Sequence, residues 1–252
     1  MIDLHTHILP TVDDGATDLS MSLAMGNFGV EHGVTKVAAT PHFYSIPDWS
    51  SIKEKVVELQ KEFDNARIPI ELVAGAEIFV DNSILELDKE DIPTYGDDGV
   101  YCLIELPMQQ VPIYTEQVIF HLQTNGITPI IAHPERYGQV VEDPNVVFDW
   151  LKLGCLIQLN VGSILGRFGT RIKETSEIML THNMVHLVAS DAHGSERRRL
   201  NLPEAYEELT KVVGKEKAMD LVRTNPNSIL EGNFQPTEEP LKYKKKKRFF
   251  FF

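Results

Sequence analysis

Six short apolar segments of this 252-residue chain each end at or beside an imidazole or a carboxylate. The segments are 2–7, 37–42, 72–77, 101–105, 129–134 and 185–193. An apolar run that stops at such a side chain is typical of a buried strand whose carboxyl end opens into a site. The chain is therefore constrained to a fold in which six strand ends meet in one place.

Helical patterns separate these strands. Over 51–65, the apolar residues Ile52, Val56, Leu59 and Phe63 recur at the spacing of one helix face. A first helix is predicted to end at 32–33, where a glycine favours a stop. Further helices are predicted near 114–125, 145–153, 171–182, 203–212, 215–223 and 226–231, and a seventh strand at 156–160.

Strands that alternate with helices through short connections predict a parallel arrangement. An open doubly wound sheet usually collects its site at one switch point, whereas here nearly every strand supplies a candidate ligand. We therefore predict an α/β fold, a distorted seven-stranded (β/α) barrel. It is predicted to form a single domain over 1–233, followed by a tail over 234–252.

Nine side chains at these strand ends or in the loop after the first strand are candidate metal ligands. They are His5, His7, Asp14, His42, Glu77, Glu105, His133, Asp191 and His193. Alternate residues of a strand point to one face, so His5 and His7 can meet the same ion. Imidazoles and carboxylates without thiolates suit Mn²⁺, Fe or Zn²⁺. Nine ligands are too many for one ion, so we predict two or three divalent ions.

The pattern leaves one ligand position open, because Asp13 competes with Asp14 for the same loop position. Asp3 points away from the two neighbouring histidines and is predicted to be structural. The four remaining histidines do not follow an apolar strand and are predicted to be structural or surface residues. They are His32, His121, His182 and His186.

The net charge of −13 argues against nucleic acid as the main partner. A metal cluster nevertheless supplies local positive charge that attracts a phosphate group. Such ions also activate a water molecule as a nucleophile and hold phosphoryl oxygens. Arginines close to two of the strand ends are candidate phosphate donors: Arg136 follows His133, and Arg197, Arg198 and Arg199 follow His193.

Two further features concern location. Cys102 and Cys155 both lie in apolar runs, which predicts buried free thiols and a reducing, cytoplasmic setting. The tail carries a basic run over 242–248 followed by four phenylalanines. It is either a solvated tail or a peripheral anchor, with cations for anionic lipid and aromatic rings for the membrane interface.

Along almost its whole length the chain resembles the PHP (polymerase and histidinol phosphatase) family. Within that family it is similar to the manganese-dependent tyrosine phosphatases encoded in capsule and exopolysaccharide operons of Gram-positive bacteria. The segments that carry the resemblance are 1–10, 13–15, 39–42, 75–78, 103–105, 131–136 and 189–193.

The resemblance implies three metal positions, most often filled by Mn²⁺, and it favours Asp14 over Asp13. The first would use His5, His7, Glu77 and Asp191, the second Glu77, Glu105 and His133, and the third Asp14, His42 and His193. It also implies that Arg136 and Arg198 are catalytic or bind phosphate, although the run 197–199 leaves the choice between neighbours open.

The implied substrate is the tyrosine-rich, phosphorylated tail of a membrane-associated bacterial tyrosine kinase that controls polysaccharide synthesis. The implied location is the cytoplasm, or its membrane face if the tail is an anchor. The loop over 43–49 is expected to shape substrate entry. Competing hypotheses are a histidinol-phosphate phosphatase, an amidohydrolase, which also opens with His-x-His, and a non-catalytic scaffold that keeps a vestigial metal site. A nuclease role fits poorly with the negative net charge.

Overall fold

The computed structural model describes residues 1–44 and 48–245 of the chain. Nine short strands alternate with helices along these residues. The strands are β1 (Ile2–Thr6), β2 (Lys36–Ala39), β3 (His42–Phe43), β4 (Glu71–Ala74), β5 (Glu77–Phe79), β6 (Tyr101–Glu105), β7 (Thr128–Ala132), β8 (Leu156–Asn160) and β9 (Leu187–Ala189).

The helices fall close to the predicted positions. They are α1 (Leu19–Glu31), α2 (Trp49–Asn65), α3 (Thr115–Thr124), α4 (Gly138–Glu142), α5 (Asn145–Lys152), α6 (Val161–Ile164), α7 (Thr170–Thr181), α8 (Leu202–Val213), α9 (Lys215–Met219) and α10 (Asn225–Leu230). Short 3₁₀ turns occupy Asn82–Glu86, Lys89–Asp91, Tyr95–Asp97 and Pro134–Arg136.

The predicted helix over 215–223 changes type along its length. It is α-helical only to Met219 and continues as a π-helical turn over Asp220–Thr224. Pro226 follows at the start of α10. Because proline has no amide hydrogen to donate to the preceding turn, a regular α-helical bond is missing there.

All strand pairs are parallel, as predicted, and they form two sheets. One sheet has the order β1-β2-β4 and the other the order β3-β5-β6-β7-β8-β9. An isolated parallel bridge joins Thr6, at the end of β1, to Ala192, just beyond β9. The parallel α/β class is therefore confirmed, whereas the seven-stranded barrel stays a prediction, because the strands divide into two hydrogen-bonded sheets.

Two of the predicted strands are each split into two segments. Segment 37–42 is interrupted at Pro41, and segment 72–77 at Gly75. Proline cannot donate a ladder hydrogen bond. A Cβ on Gly75 would lie 3.0 Å from Thr40 Cγ2, so the two breaks pack against each other. As a result, His42 and Glu77 begin new segments rather than ending old ones, and they face each other in register.

Helix α2 shows how the apolar pattern builds the core. Its predicted inner face, Ile52, Val56, Leu59 and Phe63, is buried. Asp48 caps its amino end by accepting a hydrogen bond from the Ser50 amide at 3.0 Å. Burial of each of these apolar side chains contributes about 1.5–3 kcal/mol. The helix therefore covers the outside of the sheet and leaves the strand ends free for the site.

Residues 234–240 lie beside the amino ends of β6, β7 and β8, opposite the predicted site, and the chain then reaches α5. The Phe234 carbonyl accepts a hydrogen bond from the Tyr101 hydroxyl at 3.1 Å. Further on, the Tyr243 amide donates to Asn145 Oδ1 at 2.9 Å. Residues 246–252, with most of the basic and aromatic run, lie outside the described part of the chain.

The fold tests the prediction made for the two cysteines, and it also gives the length and polarity of each helix. Cys102 and Cys155 are both buried and free, as predicted. Across 1–44 and 48–245, each helix is too short or too polar to span a bilayer.

Candidate metal centre

Glu77 lies at the middle of the centre and contacts four imidazoles. Its carboxylate oxygens lie 2.9 Å from His133 Nε2 and 3.0 Å from His42 Nδ1, and 3.3 and 3.4 Å from the Nε2 atoms of His5 and His7. Burial opposes ionisation of Glu77, but the charge and hydrogen bonds of the imidazoles outweigh it and hold its pKa well below the usual value. Glu77 is therefore an ionised carboxylate that lies within reach of four candidate metal ligands.

His5, on β1, and His7, directly after it, turn their Nε2 atoms towards each other. His5 Nδ1 lies 3.1 Å from Gln158 Oε1, whose amide nitrogen is already committed to the Leu159 carbonyl. His7 Nδ1 lies 2.6 Å from Asp13 Oδ2. Both Nδ1 atoms therefore donate to these oxygens, which leaves the two Nε2 atoms, 3.3 Å apart, as the nitrogens placed to coordinate a cation. That arrangement suits a cation that both nitrogens coordinate.

Asp191 connects the imidazoles to the arginines. Its Oδ1 lies 3.4 Å from His193 Nδ1 and 2.5 Å from Arg198 Nη2. Its Oδ2 accepts hydrogen bonds from Arg136 Nη1 at 3.2 Å and from Asn160 Nδ2 at 2.6 Å. The carboxylate is buried, and one residue thus joins the proposed ligands to both candidate phosphate donors.

Asp14 forms the outer edge of the centre. Its Oδ1 lies 3.3 Å from His193 Nε2 and 3.5 Å from His42 Nε2. Its side chain is 66% exposed, whereas those of the two histidines are only 10% and 19% exposed. This side of the centre therefore faces solvent and gives a substrate access.

Glu105 completes the set beside Glu77. Its oxygens lie 3.7 Å from His133 Nε2 and 3.9 Å from His42 Nδ1. Burial and then the negative charge of Glu77 raise the pKa of Glu105 to about 7. Donor oxygens of Glu77 and Glu105 lie within 4.8 Å of each other, and two carboxylates at this distance favour a positive ion between them.

The donor atoms fall into three overlapping groups in which each atom lies within 4.8 Å of the others. The groups are His7, Asp14, His42 and His193; His5, His7 and Glu77; and His42, Glu77 and Glu105. His133 contacts the last two groups through Glu77, and Asp191 contacts the second through its Oδ1, 3.7 Å from His5 Nε2. All nine predicted ligands therefore lie together in one centre.

The structure distinguishes between the three consecutive arginines. Arg198 extends to Asp191, whereas the Arg199 guanidinium lies 4.6 Å from the ring centre of Phe28, on α1. Arg197 is exposed. Of these three residues, Arg198 is the one that contacts the centre.

Three of the site residues have a left-handed backbone, which is uncommon outside glycine. The φ angles of His133, Asp191 and Arg198 are 33°, 54° and 48°. Conformations of this kind cost about 1–3 kcal/mol each and persist where the surroundings hold them. His133 directly follows β7, Asp191 lies just beyond β9, and Arg198 lies in the loop between β9 and α8.

Sequence reasoning missed three residues that orient the ligands. Asp13, Gln158 and Asn160 contact His7, His5 and Asp191 respectively. The signal for two of them was present, because Gln158 and Asn160 are polar residues at alternate positions of an apolar strand. Asp13 was considered only as an alternative ligand to Asp14. In the structure Asp13 contacts the Nδ1 atom of His7, whereas Asp14 contacts His193 and His42 at the outer edge of the centre.

The residues predicted to be structural lie outside the centre. Asp3 Oδ1 accepts hydrogen bonds from the Ser190 and His5 amides at 3.0 and 3.3 Å. His186 Nδ1 accepts one from the Ile157 amide at 3.0 Å. The other three, none of which contacts the centre, are His32, His121 and His182.

Comparison with known proteins places the chain among relatives of similar length. The model of the family "Capsular polysaccharide synthesis, CpsB/CapC" matches residues 1–231. The tyrosine-protein phosphatase YwqE of Bacillus subtilis is 34% identical over 258 aligned positions, covering all of both chains. The putative tyrosine-protein phosphatase CapC of Staphylococcus aureus is 35% identical over 82% of each chain.

Solved structures agree with this. One from a study of B. subtilis YwqE and Streptococcus pneumoniae CpsB, described as unique metal-dependent tyrosine phosphatases, superposes with a TM-score of 0.91 at 33% identity. It covers 97% of this chain and 100% of that chain. The phosphotriesterase homology protein of Escherichia coli has a TM-score of 0.58 at 12% identity, covering 91% and 98% of the two chains, and shows likeness of fold alone. The chain belongs to the CpsB/CapC family of capsular polysaccharide synthesis.

Proposed function

We propose that this chain is a metal-dependent protein-tyrosine phosphatase that acts in capsular or exopolysaccharide synthesis. One observation carries the proposal. Glu77, which contacts four imidazoles, and Asp191, which contacts two arginines, lie in the same partly open centre. The relatives named as tyrosine-protein phosphatases support it, since YwqE aligns with the full length of the chain and CapC with 82% of it.

We assign the metal ions to the nine ligands in the three sets implied by the resemblance. The facing Nε2 atoms of His5 and His7 and the adjacent carboxylates of Glu77 and Glu105 support this fit. Imidazole and carboxylate donors without thiolate suit Mn²⁺, which we propose, and also Fe or Zn²⁺. When bound, such ions supply a water activated for attack on phosphorus and positive charge for the phosphoryl oxygens.

The chain's own residues bind and orient the phosphate. Arg136 and Arg198 present guanidinium groups from two different loops to the same edge of the centre. Planar N–H donors pair well with phosphoryl oxygens and stabilise the charge that develops there. Asn160 holds Asp191 from the buried side, so the carboxylate keeps its position when the arginines turn to the substrate.

We further propose that the two sheets together form the distorted seven-stranded barrel. The backbone hydrogen bonds between their edges support this arrangement. The Asp191 amide donates to the His5 carbonyl at 2.9 Å, and the His7 amide donates to the Ala192 carbonyl at 2.8 Å. On this view β2 with β3, and β4 with β5, are two interrupted strands, and the ring is distorted where they break.

The substrate we propose is a phosphotyrosine in the tail of a membrane-associated tyrosine kinase. The exposed side of the centre at Asp14 suits an extended peptide better than an enclosed metabolite such as histidinol phosphate. An amidohydrolase is disfavoured because Glu77 already occupies the bridging position that a modified lysine takes in many of those enzymes. The Tyr44 ring, in the loop over 43–49, lies 5.6 Å from the His42 ring between centres, and residues 45–47 lie outside the described part of the chain.

Purified protein loaded with Mn²⁺ is expected to hydrolyse a phosphotyrosine peptide with a kcat/KM about 100-fold above that for histidinol phosphate. Enzymes discriminate by contacts that only the correct substrate completes, which makes such ratios reachable. Both substrates are to be assayed side by side, with a chelator control that should abolish turnover. A preference for histidinol phosphate would keep the metal centre and overturn the proposed substrate.

We also propose a cytoplasmic location, a domain boundary at 233–234, and contact of the tail with the inner face of the membrane. The six cations of 242–248 leave 18 elsewhere against 37 acidic groups, so the remainder of the chain carries −19. Each cation near an anionic bilayer contributes about 1 kcal/mol, and the phenylalanines add interfacial binding. The described part of the tail begins at the strand ends opposite the centre, at Phe234, and reaches α5 at Asn145.

Deletion of 242–252 is expected to abolish co-sedimentation with vesicles that contain anionic lipid, and to leave turnover of a soluble phosphotyrosine peptide within about twofold. The full-length chain should bind these vesicles less at high salt, because screening weakens the attraction. Vesicles of neutral lipid provide the control. Equal vesicle binding by the full-length and shortened chains would show that the tail is only solvated.

A further inference from the structure

Phe168 lies at the edge of the metal centre without being one of its ligands. The Arg136 guanidinium carbon lies 4.7 Å from the centre of the Phe168 ring. Arg136 in turn donates to Asp191 at 3.2 Å. The half-buried ring therefore stands one side chain away from the ligands, on the same side as a phosphate-binding arginine.

The position of this ring is defined by close packing. It lies directly against Gly162, where an added Cβ would be 2.6 Å from Phe168 Cε2. Gly162 belongs to α6, which begins immediately after β8 and is capped by Asn160. The ring is thus held by the same strand end that positions Asp191.

Phe168 forms one wall of a cavity of about 320 Å³ beside the centre. Asn160 and Arg198, which both contact Asp191, line the same cavity. Its volume is in the range of small-ligand pockets. A group that enters the cavity therefore meets an aromatic face and the arginine proposed to bind phosphate.

We propose that Phe168 recognises the aromatic ring of the substrate and so determines specificity for phosphotyrosine. The proposal rests on the proposed phosphatase function. In phosphotyrosine a single oxygen joins the ring to phosphorus, so a phosphoryl group at Arg136 and Arg198 brings the ring next to them. Offset or edge-to-face contact between two aromatic rings is favourable beyond simple burial. An aliphatic phosphomonoester gains none of this contact.

A second role for the ring must be separated from recognition. Through its contact with Arg136, Phe168 also restrains a guanidinium that binds phosphate. Restraint of Arg136 would affect every phosphate ligand equally, whereas recognition of the ring would affect only aromatic ones. Inorganic phosphate, which has no ring, therefore separates the two roles.

The test compares Phe168→Ala, Phe168→Leu and Phe168→Tyr with the wild-type, metal-loaded protein. For the alanine and leucine variants we expect KM for a phosphotyrosine peptide to rise about tenfold, with kcat within about twofold. The inhibition constant of inorganic phosphate should stay within about twofold, and Phe168→Tyr should restore the wild-type KM. Phe120→Ala removes a phenylalanine that is 67% exposed on α3 and serves as the matched control.

Two results would overturn the inference while leaving the phosphatase function intact. An equal rise in KM and in the phosphate inhibition constant would make Phe168 a positioning residue for Arg136. An unchanged KM in both Phe168→Ala and Phe168→Leu would remove it from substrate binding altogether. Failure of the wild-type protein to hydrolyse the peptide would instead overturn the proposed function, and this inference with it.

Discussion

Replacing Glu77 by glutamine is expected to lower kcat/KM for a phosphotyrosine peptide by about 1,000-fold and to remove bound metal. The substitution keeps the shape of the side chain but deletes the negative charge that lies within 3.4 Å of four imidazole nitrogens. The new amide also brings N–H donors next to imidazole nitrogens that are proposed to bind a cation. Removal of a single oxyanion donor already costs about 100-fold to 1,000-fold in kcat, and loss of a bridging metal ligand is expected to cost at least as much.

The measurement pairs kinetics with the metal content of the purified protein, determined by elemental analysis. Glu116→Gln is the matched control, because Glu116 is an exposed glutamate in the first turn of α3. Thermal unfolding of both variants shows whether the chain still folds. Full metal content together with turnover within tenfold of wild type in Glu77→Gln would contradict the assignment of Glu77 as a bridging ligand.

Replacing Arg198 by alanine is expected to lower kcat by about 100-fold to 1,000-fold while the metal content stays unchanged. Its guanidinium is directed at Asp191, at the edge where the phosphoryl group is proposed to bind. The same result is expected for Arg136→Ala, whose guanidinium approaches Asp191 from another loop. Arginine to lysine should recover only part of the loss, because an ammonium group cannot make the two parallel hydrogen bonds of a guanidinium.

The neighbouring arginine supplies the control for this prediction. Arg197→Ala removes an exposed charge one residue away and is expected to change kcat and KM by less than about threefold. Steady-state kinetics on all three variants, with metal analysis, decides the matter. Equal losses in Arg197→Ala and Arg198→Ala would show that the effect is one of general charge rather than a specific contact.

Most of the centre could be predicted because it follows from local rules. The His5-x-His7 pair meets in space because a strand repeats every two residues. Glu105 and His133 lie together because parallel strands bring their carboxyl ends to one edge of the sheet. Neither rule depends on knowing how distant parts of the chain pack, so the sequence was sufficient to find these ligands.

Other features could not be predicted, because they depend on backbone geometry set by distant contacts. Arg198 differs from its neighbours in direction because its φ angle is 48° and its carbonyl accepts a hydrogen bond from the His193 amide at 2.9 Å. The break at Pro41 places His42 opposite Glu77 instead of at a strand end. The breaks at Pro41 and Gly75 also divide two of the seven predicted strands, which the residue pattern did not indicate.

The sequence by itself determined the donor chemistry, the parallel α/β class and the end of the strands at which the donors gather. Only the tertiary structure decided which donor atoms face each other and which residues hold them. Glu77 and His133 are 56 residues apart, and Arg136 and Asp191 are 55 apart, yet each pair is in contact. Hydrogen bonds and lone pairs act over about 3 Å and depend on angle. Their partners are therefore set by the packing of whole elements, which residue spacing along a chain does not specify.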